Sequence, residues 1–126
     1  MCHVLVIEDE YLISDHITSL ATEAGATSVT QVDTEEDAVS AARVRRPDMI
    51  MSDVKLACGS GPLAVQTILA EHGPIPVIFI TGSPEACSPC NLPAVILGKP
   101  ILERAVIQAF RQLSGQDNCH VPIISA

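Results

Sequence analysis

Short apolar runs alternate with longer amphipathic stretches along the chain. The runs cover residues 4–7, 29–32, 49–51, 77–80 and 94–97. Four of them are apolar throughout, which is typical of parallel strands that are covered on both faces. The second run contains Thr30 and Gln31, so it is predicted to lie at an edge of the sheet.

The stretches between the runs carry apolar residues three or four positions apart, which predicts helices. Such faces are formed by Ile13, Ile17, Leu20 and Ala24, and by Leu102, Val106, Ala109 and Leu113. Thr34 and Pro62 are expected at the starts of a second and a third helix, the third running to about His72. Gly25 and Pro47 are expected to end the first two.

Strands that alternate with helices predict an α/β fold with a doubly wound parallel sheet. The segment 82–93 breaks this pattern, since it contains three prolines and little helical periodicity. A fourth helix there is expected to be short, distorted or absent. We expect one domain over residues 1–113, followed by a loosely structured tail at 114–126 with no output domain.

Composition narrows the classes of function. The 126 residues carry a formal charge of −8 and only 7 basic side chains, which argues against binding to nucleic acids or anionic membranes. No apolar run is long enough to span a membrane and no signal peptide is recognisable, so a cytoplasmic location is expected. Five cysteines at irregular spacing indicate reduced thiols rather than a disulfide framework. Cys87 and Cys90 form a CxxC without further zinc ligands nearby, so neither a metal nor a redox role is favoured.

Polar residues with complementary chemistry follow four of the runs. Glu8 and Asp9 follow the first, Asp53 the third, Thr81 the fourth and Lys99 the fifth. In doubly wound sheets the functional site lies beyond the carboxyl ends of the strands, so these side chains are expected to converge.

The convergence of three carboxylates requires a cation among them. Hard oxygen ligands suit Mg²⁺, which can bridge to a phosphoryl oxygen. An aspartate such as Asp53 can itself act as a nucleophile and form an acyl phosphate. Lys99 would supply a compact positive charge and Thr81 a hydroxyl donor.

These motifs resemble the receiver domain of two-component response regulators over about residues 4–113. The resemblance lies in VLVIEDE at 4–10, MIMSDVKL at 49–56, VIFITG at 77–82 and LGKP at 97–100. It implies a flavodoxin-like, five-stranded parallel sheet of order 2-1-3-4-5. The fourth helix of that fold, between strands four and five, is the one expected to be irregular.

The resemblance also implies roles for individual residues. Asp53 would be the phosphoacceptor, and Thr81 and Lys99 would contact the phosphoryl group. Asp9 would bind Mg²⁺ directly, Glu8 would assist through water, and the main-chain carbonyl of Lys55 would complete the protein ligands. The Lys99–Pro100 peptide bond would be cis.

Two features depart from the family pattern. Ile96 stands three residues before the lysine, where receivers usually have Phe or Tyr, and the 82–93 segment replaces an ordinary helix. Together with F-x-T-G at 79–82, they resemble a divergent group of single-domain regulators that is paired with HWE-type histidine kinases.

The resulting interpretation is a stand-alone response regulator that is not an enzyme, beyond catalysing its own phosphorylation and dephosphorylation. Its partners would be a sensor histidine kinase or phosphotransfer protein and an unidentified downstream protein, and homodimerisation is left open. Two alternatives are a phosphorylation-independent interaction module and a small-molecule aspartyl-phosphate phosphatase.

Overall fold

The computed structural model describes residues 1–82 and 94–115. Five strands and four helices alternate within these residues. They are β1 (His3–Ile7), α1 (Tyr11–Ala24), β2 (Ser28–Val32), α2 (Glu35–Val44), β3 (Met49–Ser52), α3 (Gly61–His72), β4 (Val77–Thr81), β5 (Ala94–Gly98) and α4 (Glu103–Ser114).

The strands form one parallel sheet of order β2-β1-β3-β4-β5. This confirms the predicted α/β class and the strand order that the resemblance implied. It also confirms β2 as an edge strand. Because all strands are parallel, their carboxyl ends meet at one edge of the sheet, which is where the polar residues of the motifs follow.

Two apolar clusters cover the two faces of the sheet. Alternate residues of β1 point to opposite faces: Val4 and Val6 pack with α1 and α4, whereas Leu5 and Ile7 pack with α2 and α3. Every residue of β1, β3 and β4 is buried. The all-apolar runs of these three strands therefore reflect cover on both sides. The same prediction is wrong for the equally apolar run at 94–97, because β5 is the other edge strand and is only partly buried.

The helix ends follow local chemistry. The Thr34 hydroxyl accepts a hydrogen bond from Asp37 N at 3.0 Å at the start of α2, and Pro62 lies in the first turn of α3. Gly25 ends α1 with φ of 132°, a conformation that favours glycine. The placement of Leu102 on the buried face of the last helix is wrong, because Leu102 precedes α4 and its side chain is exposed.

Two predicted segments fall largely outside the described residues, and the cysteines differ from one another in state. The expected irregular helix within 82–93 lies outside the described residues except for Gly82, and so does the tail beyond Gly115. Cys58 is a free, exposed thiol. Cys2, in contrast, is disulfide-bonded, which corrects the expectation that the cysteines are all reduced. Among the described residues, no helix is both long and apolar enough to cross a membrane.

His3 couples the stability of this fold to pH. Its ring is buried, with Nδ1 lying 2.8 Å from the Ser28 hydroxyl. Burial lowers the pKa of His3, and the charge of Arg45 lowers it further against the opposing effect of Asp48. His3 therefore binds a proton more readily in the unfolded chain than in the folded one. The free energy of unfolding consequently decreases as pH falls below about 6.5.

We expect His3→Gln to reduce the loss of unfolding free energy between neutral pH and pH 5, measured by urea denaturation. His16→Gln is the comparison variant, because His16 lies on the surface, 40% exposed and paired with Glu103 at 2.8 Å, so it removes a histidine without removing a buried imidazole. An identical pH dependence in wild type and His3→Gln would contradict the assignment of this loss to His3.

Candidate functional site

Three carboxylates converge at the carboxyl edge of the sheet. Glu8 and Asp9 follow β1, and Asp53 follows the neighbouring strand β3. Each offers an oxygen atom, and these oxygens all lie within 4.8 Å of one another. The parallel pairing of β1 with β3 brings these residues together, although more than forty positions of sequence separate them.

Asp53 is held from several sides and is only 8% exposed. Its Oδ1 accepts a hydrogen bond from Val54 N at 2.7 Å. Its main-chain oxygen accepts another from the Ser52 hydroxyl at 2.7 Å. The main chain at Asp53 also donates to the carbonyl of Ile7 at 2.8 Å. The carboxylate is therefore fixed in orientation before any ligand arrives.

Gly61 allows α3 to approach the phosphoacceptor candidate closely. A Cβ at this position would lie 1.8 Å from the main-chain oxygen of Asp53 and 2.5 Å from the Ser52 hydroxyl oxygen. The first of these neighbours is backbone, so the conflict cannot be relieved by turning a side chain. Only glycine fits at this position, because there is no space for a side chain.

Lys99 places its ammonium group between two of the acids. Its Nζ lies 3.1 Å from Asp53 Oδ2 and 3.3 Å from Glu8 Oε1. Burial favours the neutral amine, but the hydrogen bond to Asp53 and the charges of both acids outweigh it and raise the pKa of Lys99. Lys99 therefore remains a fixed cation in the site.

The pKa of Glu8 differs from its usual value because of its position in the cluster. Its side chain is buried, and burial raises its pKa to about 7, with a further contribution from the charge of Asp53. The opposing hydrogen bonds from Glu10 N and Lys99 do not compensate. Burial thus disfavours the charged form of Glu8 even with Lys99 beside it, and this donor set of hard oxygens fits a divalent cation such as Mg²⁺.

Asp9 is half-buried and connects the cluster to the β3–α3 loop. Its Oδ2 accepts a hydrogen bond from Ala57 N at 2.6 Å. Lys55 lies in that loop with an exposed side chain, and it pairs with Ser60 in an antiparallel bridge. The role of the Lys55 carbonyl as a metal ligand stays a prediction.

Thr81 ends β4 and Lys99 directly follows β5, at the other side of the site. Thr81 is the last residue of β4, is 2% exposed, and pairs in register with Gly98. Its carbonyl accepts a hydrogen bond from Lys99 N at 2.9 Å. The peptide bond between Lys99 and Pro100 is cis, as the resemblance implied. Contact of Thr81 with a phosphoryl group stays a prediction.

Ile96 lies on β5 three residues before Lys99 and is 40% exposed. It pairs in register with Phe79 of β4. The side chain at this position is therefore aliphatic and partly exposed, where the resemblance led us to expect an aromatic ring.

Several supporting groups were not identified from the sequence. They are the main-chain amides of Val54 and Ala57, the close contact at Gly61, and a side-chain contact of Glu35 with the β3–α3 loop. Backbone donors leave no signature in side-chain identity. The only signal in the sequence of this loop is the pair of glycines, Gly59 and Gly61, which indicates positions without space for a side chain.

The Gly61→Ala substitution tests the close approach of α3. We expect it to lower the free energy of unfolding by about 3 kcal/mol, because the added methyl group overlaps the backbone of Asp53. Chemical denaturation measures this effect. Gly115→Ala is the control, since a Cβ there would meet its neighbours at 3.7 Å or more. Equal stability of the two variants would refute the steric argument.

Comparison with known proteins identifies the family. The model of the response regulator receiver domain matches residues 4–89. The regulator PhyR of Methylorubrum extorquens is 35% identical over 100 residues, which cover 77% of this chain and 38% of PhyR. The response regulator GacA of Pseudomonas aeruginosa is 32% identical over 118 residues, covering 90% of this chain and 55% of GacA.

Solved structures support the same family. The receiver domain of PhyR from Erythrobacter litoralis superimposes with a TM-score of 0.82 at 31% identity, covering 97% of this chain and 96% of that domain. PhyR of Bartonella quintana, described as an anti-anti-sigma factor, matches with a TM-score of 0.70 at 30% identity, over 86% of this chain and 47% of that protein. The chain thus spans about half or less of the full-length relatives. By fold, motifs and sequence similarity, it belongs to the response regulator receiver domains of two-component signalling.

Proposed function

We propose that this receiver domain accepts a phosphoryl group on Asp53 from a phosphohistidine of a sensor histidine kinase or phosphotransfer protein. The observation that carries the proposal is the position of the Asp53 carboxylate, 3.1 Å from the Lys99 ammonium and within the cluster that it forms with Glu8 and Asp9. The protein then acts as a switch and is not an enzyme toward other molecules. It catalyses only its own phosphorylation and dephosphorylation.

Glu8, Asp9 and Asp53, with the main-chain carbonyl of Lys55, would hold Mg²⁺. The convergence of the three carboxylates within 4.8 Å supports this, and so does the pKa of Glu8, which burial and, to a smaller extent, the charge of Asp53 raise to about 7. When bound, Mg²⁺ neutralises charge on the phosphoryl oxygens during transfer. A fold neighbour, the receiver domain of a Pseudomonas aeruginosa sensor histidine kinase, has magnesium coordinated in its active-site cleft.

The transfer step uses the carboxylate of Asp53 as a nucleophile. One of its oxygens forms a bond to phosphorus while the phosphorus–nitrogen bond of the donor histidine breaks, and the leaving imidazole takes a proton from water. Lys99 stabilises negative charge on the phosphoryl group, and the Thr81 hydroxyl donates to one of its oxygens. Attack of water on the resulting acyl phosphate releases inorganic phosphate and restores Asp53.

The output is proposed to be contact with another protein or transfer along a phosphorelay. Bartonella quintana PhyR is described as an anti-anti-sigma factor, which makes a protein partner a reasonable model for this chain. The assignment to the F-x-T-G group with HWE-type kinases also stays a prediction. The identity of the kinase would follow from phosphotransfer profiling against the kinases of the source organism.

Labelling with acetyl phosphate and Mg²⁺ tests the proposal. We expect intact-mass spectrometry to detect one added phosphoryl group on wild type and none on Asp53→Asn, because the amide is not a nucleophile. Asp9→Asn should be labelled at least ~10-fold more slowly through loss of a metal ligand. Asp15→Asn is the matched control, since Asp15 lies exposed on α1 and contacts Gln31. Equal labelling of wild type and Asp53→Asn would exclude Asp53 as the acceptor.

A second candidate function is a phosphorylation-independent interaction module, which the exposed aliphatic side chain of Ile96 favours. Amide NMR spectra with Mg²⁺ and beryllofluoride, a phosphoryl mimic, separate the two. The switch predicts shifts that include Thr81 and Lys99 in wild type but not in Asp53→Asn. Unchanged wild-type spectra would favour the interaction module. A small-molecule phosphatase is less well supported. Aspartyl-phosphate phosphatases of the haloacid dehalogenase type have their nucleophile after the first strand, whereas Asp53 follows β3.

A further inference from the structure

The β3–α3 loop carries Lys55, whose carbonyl is the proposed third metal ligand. The loop is closed at its base, where Lys55 pairs with Ser60 in an antiparallel bridge. On the side of the acidic cluster, Ala57 N donates to Asp9 Oδ2 at 2.6 Å. The position of the Lys55 carbonyl therefore depends on what holds the rest of the loop.

Helix α2 contacts a second part of this loop through Glu35. The main-chain N–H of Glu35 donates to the carbonyl of Cys58 at 3.2 Å, next to a bridge between Thr34 and Cys58. The Glu35 carboxylate oxygen Oε1 accepts a hydrogen bond from Ser60 N at 2.9 Å. Hydrogen bonds from a backbone amide to a carboxylate are stronger than those between neutral groups.

Gly59 shows how closely Glu35 approaches the loop. It has φ of +95°, and a Cβ there would lie 2.5 Å from Glu35 Cβ and 2.7 Å from Glu35 Oε1. The side chain of Glu35 thus occupies the space that a side chain at position 59 would need. The contact also extends to α3, because the Ser60 hydroxyl accepts a hydrogen bond from Leu63 N at the start of that helix.

We propose that Glu35 is a positioning residue, which holds the β3–α3 loop so that the Lys55 carbonyl can serve the metal site. The inference rests on the proposed Mg²⁺ site. Asp9 and Glu35 bind the loop at two separate points, Ala57 N and Ser60 N, and of these two acids Asp9 belongs to the acidic cluster. Glu35 acts through the loop and not on the ion.

Mg²⁺ titration of the full chain by calorimetry tests this role. We expect Glu35→Ala to bind Mg²⁺ about 10-fold more weakly than wild type, the range seen when groups that orient metal ligands are removed. Glu36→Ala should bind like wild type, because it makes the same change of charge at an exposed neighbouring position of α2.

Two conservative variants separate geometry from charge. Glu35→Gln keeps an oxygen acceptor for Ser60 N, so it should retain most of the affinity for Mg²⁺. Glu35→Asp keeps the charge but withdraws the carboxylate by one methylene, so it should bind Mg²⁺ more weakly. The opposite order of these two variants would overturn the proposal in favour of a purely electrostatic effect. This pair also keeps the proposal testable if Glu35→Ala does not fold.

Hydrogen exchange in metal-free protein gives a readout that is independent of Mg²⁺. The amide of Ser60 should exchange faster in Glu35→Asp than in Glu35→Gln or Glu36→Ala, because the shorter side chain of Glu35→Asp no longer accepts the hydrogen bond from Ser60 N. If wild type binds Mg²⁺ and Glu35→Asp matches it in affinity and exchange, Glu35 has no positioning role. If wild type binds no Mg²⁺, the proposed metal site fails, and the inference about Glu35 fails with it.

Discussion

The site depends on the burial of a charge cluster that its own lysine does not neutralise. The Lys99 ammonium lies within 3.3 Å of both Glu8 and Asp53, and the pKa of Glu8 is still raised to about 7. Charges removed from water are costly unless they are paired and hydrogen-bonded. The proposed Mg²⁺ would offset this cost, which links the fold to the proposed phosphoryl chemistry.

The scaffold contributes mainly backbone groups and available space. Val54 N and Ala57 N each donate to a carboxylate of the cluster, and the absence of a side chain at Gly61 lets α3 approach Asp53. Such groups orient the acids before a ligand arrives, which lowers the cost of binding it. The apolar clusters on both faces of the sheet hold the strand ends that carry these acids in fixed relative positions.

Family membership explains the core of the site better than it explains the output. The acids and Lys99 converge at the carboxyl edge of the sheet, whereas Ile96 on β5 is an exposed aliphatic side chain at a position where receivers usually have Phe or Tyr. The proposed phosphorylation therefore does not depend on the aromatic residue that receivers usually have at this position. Since the curated relatives extend well beyond the matched region, their other parts give no information on how this receiver signals.

The sequence by itself determined the strands, most helix limits and the residues at the strand exits, because these depend on local periodicity and on residues adjacent to apolar runs. The resemblance added the strand order. Contacts between elements distant in sequence were decided only by tertiary structure. The close approach of Gly61 to Asp53, the disulfide bond of Cys2 and the exposure of Leu102 were also not predicted. Examples of contacts between distant elements are those of Glu35 with Ser60 and of Asp9 with Ala57. Such contacts depend on distances of a few ångströms across the folded chain, which no spacing of residue types encodes.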